Sequence, residues 1–195
     1  MNVQVKHVAP FHIEPLKGKK WVPIFNQAID ILDDLKLEWQ IGGGTLLGLY
    51  RDGDVIAHDT DLDFEVFVDD KFLLEVSLNR LFATNDFQLI RTQHCAKGPS
   101  QLAYLHKETN IIVDVFFYYS SEDGGCYVNY NEHGELLRPI ESVKEVKQHF
   151  VDSMIDYVDV PQEVESYLSF RYGEDWKTPK KEKVSWENDA GNALR

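Results

Sequence analysis

Gly42-Gly43-Gly44-Thr45-Leu46-Leu47-Gly48, followed by Asp59-Thr60-Asp61-Leu62-Asp63-Phe64-Glu65-Val66, decides how this chain is read. The first stretch is a glycine turn. The second opens an apolar-alternating run in which Asp61 and Asp63 lie two residues apart. Side chains two apart on a strand point to one face. Two carboxylates on one face repel each other unless a cation lies between them. Hard oxygen ligands of this kind suit Mg²⁺ or Mn²⁺. A glycine turn beside a divalent ion is a place to hold phosphates. The residues therefore predict metal-dependent transfer of a phosphoryl or nucleotidyl group.

Outward from this pair, helical and strand periods alternate. Upstream, Trp21, Ile24, Phe25, Ala28, Ile31, Leu32 and Leu35 recur at helical spacing between Lys19 and Leu37. Glu38 to Ile41 is a short strand entering the glycines. Thr45 to Arg51 reads as a short helix with Thr45 as its N-cap, closed by the turn Arg51-Asp52-Gly53-Asp54. Met1 to Gly18 is mixed, with an extended look at Val3-Gln4-Val5. Downstream, Leu62, Phe64, Val66 and Val68 alternate as a strand. A helix is predicted from Asp70 to Thr84, and strands at Phe87–Thr92, Gln101–His106 and Ile111–Tyr119, with an edge strand at Cys126–Tyr130. Ser142–Phe150 and Gln162–Tyr172 look helical, separated by Tyr157-Val158-Asp159-Val160-Pro161. The polar, lysine-rich stretch from Trp176 to Arg195 reads as an extended tail.

A third acid stands inside a nearly continuous apolar strand, Ile111-Ile112-Val113-Asp114-Val115-Phe116-Phe117. A buried carboxylate needs a partner. Asp114 is either paired with a core Arg, Tyr or backbone N–H, or it joins Asp61 and Asp63 as a metal ligand or general base. Asp59-x-Asp61-x-Asp63 also matches the start of an EF-hand calcium loop. That loop needs Gly at its sixth position and Glu at its twelfth. Phe64 and Asp70 stand there, which rejects it. His94, Cys95, Cys126 and His133 do not have zinc-site spacing.

Lys and Arg number 20 against 33 Asp and Glu, a net charge of −13, so broad nucleic-acid binding is disfavoured. A nucleotide substrate is still compatible, since a metal ion brings positive charge locally. The N-terminus has no signal-peptide core, and no run reaches the ~20 apolar residues of a membrane span. The expectation is a cytoplasmic protein without a membrane span.

Taken together, these motifs resemble the LicD/fukutin family of the nucleotidyltransferase-fold superfamily. The matching text is Gly43-Gly44-Thr45-Leu46-Leu47-Gly48-Leu49-Tyr50-Arg51, then Val55-Ile56-Ala57-His58-Asp59-Thr60-Asp61-Leu62-Asp63, then Asp114 followed by aromatics, and Arg171-Tyr172-Gly173-Glu174-Asp175-Trp176 near the end. His58 and Thr60 stand where the family often has a Trp and an extra Asp. The resemblance implies an α+β fold, a nucleotidyltransferase-like mixed β-sheet flanked by helices with a small helical C-terminal part. It implies one domain over 1–195: a core at about 19–135, a C-terminal helical region at about 136–180 and a polar tail at 181–195.

It further implies a phosphotransferase that moves a phospho-alcohol, of the phosphocholine, ribitol phosphate or glycerol phosphate type, from a CDP-activated donor to a glycan hydroxyl. Asp61, Asp63 and Asp114 are the expected catalytic metal ligands, for Mg²⁺ or Mn²⁺. Gly43, Gly44 and Thr45 are expected to meet the donor phosphates through the backbone and a hydroxyl at a helix N-terminus. Arg51 either contacts phosphate or pairs with Asp52 or Asp54. Lys97, Arg138, Arg171 and Lys177 are further candidates for phosphate, each with solvated surface as its ordinary reading. Tyr172 and Trp176 either stack on a base or pack the tail, and Glu65 supports the site from behind. His58 and Asp59 flank the metal without being counted as ligands. The competing functions are a nucleotidyltransferase that moves NMP from an NTP to a small molecule such as an aminoglycoside, and a catalytically inactive binding module.

Overall fold

A computed structural model describes residues 3–68, 74–132, 134–139, 146–150 and 155–179. In chain order the elements are β1 (Gln4–His7), α1 (Trp21–Asp34), β2 (Glu38–Ile41), α2 (Gly43–Asp52), β3 (Asp61–Val68), α3 (Leu74–Thr84), β4 (Phe87–Cys95), β5 (Gly98–His106), β6 (Ile112–Ser120), β7 (Cys126–Asn131), β8 (Gly134–Pro139), β9 (Val146–Phe150), β10 (Ile155–Val160) and α4 (Val164–Tyr172). The main sheet runs β1-β4-β5-β6-β3-β2, with β7 pairing both β6 and β8. The β3–β6 pair is parallel and its described neighbours are antiparallel, so the sheet is mixed as expected.

The period-2 pattern of β3 divides the molecule into two faces. Leu62, Phe64, Val66 and Val68 join the main core, where α1 contributes Trp21, Ile24, Phe25, Ala28, Ile31 and Leu32. The Phe25 and Phe64 rings lie 5.3 Å apart, centroid to centroid. Burying such side chains supplies about 2 kcal/mol each, which is why this helical stripe docks here. The other face of β3 carries Asp61, Asp63, Glu65 and Phe67. In parallel register Asp63 faces Asp114 on β6, and in antiparallel register Glu65 faces Gln40 on β2. A row of polar side chains is thereby raised on one surface of a sheet whose other surface is apolar. At the far end of β6, Asn129 holds β7 in place by donating from Nδ2 to Ser100 O at 2.7 Å and Phe117 O at 2.9 Å.

Three expectations need correction. Val146–Phe150, expected within a helix, is a strand antiparallel to β10. A local helical spacing loses to antiparallel pairing with β10, which the spacing of apolar residues does not register. Cys126–Asn131 is not an edge strand, because the unforeseen β8 pairs its other side. Thr45 is not the N-cap of α2; Gly42 is, and it makes no side-chain cap bond. Of the expected helix from Asp70, residues 70–73 lie outside the described residues. So do residues 142–145 of the other expected helix and the tail 181–195.

Candidate active site

The glycine turn and β3 are tied together at one residue. Gly42 N–H donates to Asp63 O at 3.2 Å, Asp63 N–H donates to the Thr45 hydroxyl at 2.7 Å, and Gly44 N–H donates to Asp63 Oδ2 at 2.9 Å. The N-terminus of α2 is thus aimed at a carboxylate of the protein itself, a favourable placement for negative charge. Each glycine of the turn abuts a different acid. A Cβ at Gly43 would land on the Asp63 carboxylate, one at Gly44 on Asp59, and one at Gly42 would lie 2.6 Å from the Glu65 carboxyl carbon. Gly43 also has φ +54, in the left-handed region. The turn is therefore built of glycine because three acids crowd its backbone.

Asp59, Asp61 and Asp63 each bring a carboxylate oxygen within 4.8 Å of the other two. Asp59 is buried, and Asp61 and Asp63 are half-buried. Burial and the charges of Asp61, Asp59 and Asp114 push the Asp63 carboxyl well above the usual carboxylate range, with Arg171 pulling in the opposite direction. Converging hard oxygens under mutual repulsion are the donor set a divalent cation relieves, so these residues fit Mg²⁺ or Mn²⁺.

Asp114 faces Asp63 from β6 and is buried. Its Oδ2 accepts from Arg91 Nη2 at 3.0 Å and from Gln101 Nε2 at 2.9 Å. The pairing with an arginine is thus real, though Arg91 is only half-buried, and it coexists with a place beside the acidic group.

Glu65 continues the same face one pleat further. Its carboxylate accepts from Arg138 Nη2 at 2.8 Å and Nε at 3.1 Å, from Gln40 at 2.9 Å, from the Tyr167 hydroxyl at 2.8 Å, from Tyr118 at 3.3 Å and from Arg171 Nη1 at 3.2 Å. Although burial opposes ionisation, the Arg138 and Arg171 charges hold this carboxyl down at about 2. Arg138 is wholly buried, its guanidinium 5.0 Å from the ring centres of both Tyr118 and Tyr167. This hub fastens β8 and α4 to β3.

Arg138 and Arg171 are consequently neither solvated surface nor open phosphate contacts. Arg51 pairs with Asp52, Nε to Oδ1 at 2.8 Å and Nη2 to Oδ2 at 2.7 Å, and Nη1 reaches Trp176 O at 3.3 Å. Lys97 donates to Ser120 O, and Lys177 pairs with exposed Glu165. Trp176 packs, 4% exposed, with its indole N–H on the Ser169 hydroxyl. His94 pairs with Glu75 at 3.0 Å, and Cys95 and Cys126 are free thiols; His133 lies outside the described residues. Among the described residues the candidate metal group is the aspartate cluster.

Asp59, expected to flank the metal without being a ligand, belongs to that cluster. Its period-2 spacing with Asp61 and Asp63 was the available signal. Arg91 and Gln101 were missed altogether, since only strand pairing brings them to Asp114.

The mixed sheet with this acidic edge defines a protein of the nucleotidyltransferase fold. It superimposes on the lincosamide antibiotic adenylyltransferase LnuA with a TM-score of 0.51 at 14% identity, covering 85% of this chain and 89% of that one. The chain belongs to the LicD/FKTN/FKRP family: that family's nucleotidyltransferase-domain model matches residues 36–151. It is 27% identical over 158 residues to ribitol-5-phosphate transferase FKTN of Homo sapiens, covering 79% of this chain and 32% of that protein. The counterpart of Mus musculus is 26% identical over 165 residues, covering 83% and 34%. The chain thus spans about a third of the length of these relatives. Among the described residues no helix is long and apolar enough to cross a membrane.

Proposed function

We propose that this chain carries the catalytic site of a metal-dependent phosphotransferase that moves ribitol phosphate from CDP-ribitol to a glycan hydroxyl. The observation that carries the reading is the convergence of Asp59, Asp61 and Asp63 within 4.8 Å beside the start of α2. The choice of alcohol follows the relatives named ribitol-5-phosphate transferase. Asp59, Asp61 and Asp63 would hold the ion; when bound, Mg²⁺ or Mn²⁺ neutralises phosphate charge and favours in-line displacement.

The remaining roles fall to the chain's own groups. Asp114, fixed by two donors, takes the proton of the acceptor hydroxyl. The hydroxyl oxygen bonds to the phosphorus bearing ribitol, the bond from that phosphorus to the bridging oxygen breaks, and CMP leaves with that oxygen. Gly43, Gly44 and Thr45 border the acids where the donor phosphates would meet the turn. Arg51 would serve the leaving phosphate by exchanging Asp52 for it.

The test is calorimetric titration of Mn²⁺ with CDP, CTP and ATP, followed by assay of CMP release from CDP-ribitol with a glycan acceptor. Mn²⁺-dependent binding of cytidine nucleotides and CMP release, both lost in Asp61→Asn/Asp63→Asn, are expected. Pyrophosphate release from an NTP would turn the reading to nucleotidyl transfer. No Mn²⁺ binding by folded protein would sink both.

A further inference from the structure

Arg91, Ala103, Asp114 and Asp63 stand opposite one another across β4, β5, β6 and β3. They form one row on the acidic face of the sheet. Neighbouring strands are about 4.8 Å apart, so Arg91 starts about 10 Å from Asp114 with one strand between them. An arginine covers that distance only if the intervening side chain is small, and that residue is Ala103. Arg91 passes over it and places Nη2 3.0 Å from Asp114 Oδ2. Gln101, one pleat along β5 from Ala103, brings Nε2 to the same oxygen at 2.9 Å.

The terminal torsion of an aspartate is broad, so a lone carboxylate samples many orientations. Two donors on one oxygen remove that freedom. The exposures of the two partners differ in a telling way: the Asp114 side chain is 3% exposed and that of Arg91 31%. The acid is the buried member, and the arginine is half-buried.

We propose that Arg91 is a positioning residue of the active site. Reaching across Ala103 and working with Gln101, it holds Asp114 beside Asp63 in the orientation that accepts the acceptor's proton. The inference rests on the reading of Asp114 given under Proposed function. Ala103 is then part of the device, because its small side chain is what lets the arginine through.

The experiment compares wild type, Arg91→Ala, Ala103→Val, Asp114→Asn and the double variant Arg91→Ala/Asp114→Asn. CMP release from CDP-ribitol is measured with Mn²⁺, and stability by urea unfolding. Arg91→Ala is expected to lower kcat about 10- to 100-fold, the usual effect of losing a group that orients a site residue. KM for CDP-ribitol stays unchanged. Ala103→Val reproduces the kcat loss with every charge in place. The double variant is no slower than Asp114→Asn alone, because the arginine acts through the acid.

Wild-type kcat in Arg91→Ala, or kcat losses that multiply in the double variant, would overturn the proposal. An inactive Asp114→Asn beside a fully active Arg91→Ala would remove the clamp and leave the catalytic reading standing. A fully active Asp114→Asn would remove both. If wild type releases no CMP, the catalytic reading fails, and the unfolding cycle decides the clamp: coupling between the two substitutions supports it, and additivity overturns it.

Discussion

Two ends of one face of β3 carry the same chemistry and treat it in opposite ways. At the first, Asp61 and Asp63 share space with Asp59, and the charges around Asp63 are chiefly those of other acids. At the second, Glu65 is met by Arg138, Arg171, Gln40, Tyr118 and Tyr167. One carboxyl is pushed well above its ordinary range and the other held at about 2. A saturated carboxylate serves the fold. Crowded carboxylates cost stability, a cost that proteins bear at functional sites.

The largest effect is expected at the saturated end. Arg138→Ala leaves Glu65 buried with much of its compensation gone, and it should cost about 3–5 kcal/mol in urea unfolding. A loss below about 1 kcal/mol, the range of an exposed ion pair, would mean that the hub does not hold β8 and α4 to β3.

Acid should dissolve the same contrast by a comparable amount. The Glu65 carboxyl titrates at about 2 when folded against an ordinary value of 4.5, so the native state binds fewer protons than the unfolded chain between those limits. Its contribution, about 3 kcal/mol, is full above pH 4.5 and disappears as pH falls through 2. Asp63 works against this trend: its folded value is raised, so protonating it on the way down favours the native state. Unfolding free energies measured from pH 6 to pH 2 in an Asp63→Asn background would isolate Glu65. An acid slope unchanged by Arg138→Ala would count against the assignment.

The smallest effect sharpens the other end. Removing the charge nearest in influence to Asp63, by Asp61→Asn, should stabilise the metal-free protein by about 1 kcal/mol, a rise of about 2–4 °C in Tm. Mn²⁺ should raise the Tm of wild type and leave the variant unmoved. A variant that is less stable without metal would show that Asp61 supports the fold after all.

Much of this architecture was legible in local pattern. The stripe Trp21, Ile24, Phe25, Ala28, Ile31 and Leu32 became the buried face of α1, and the alternation Leu62, Phe64, Val66, Val68 became the buried face of β3. Asp61 and Asp63 could be placed on one face because a strand's period of two requires it. The strand β8 and the β9–β10 hairpin were not legible, since their identity lies in pairing rather than in composition. Arg138 looked like an ordinary surface cation until Tyr118, Tyr167 and Glu65 enclosed it.

The division follows the range of the forces. By itself the sequence determined the period of each element, the shared face of Asp61 and Asp63, and the need for a partner at Asp114, all properties of residues near one another along the chain. Only the tertiary structure decided which acids meet, that the glycines give way to carboxylates, and that Arg91 crosses Ala103 to reach Asp114. Those outcomes depend on strand register and on burial. Register brings together residues as distant as 63 and 114, and burial turns an ordinary charge into one that must be answered.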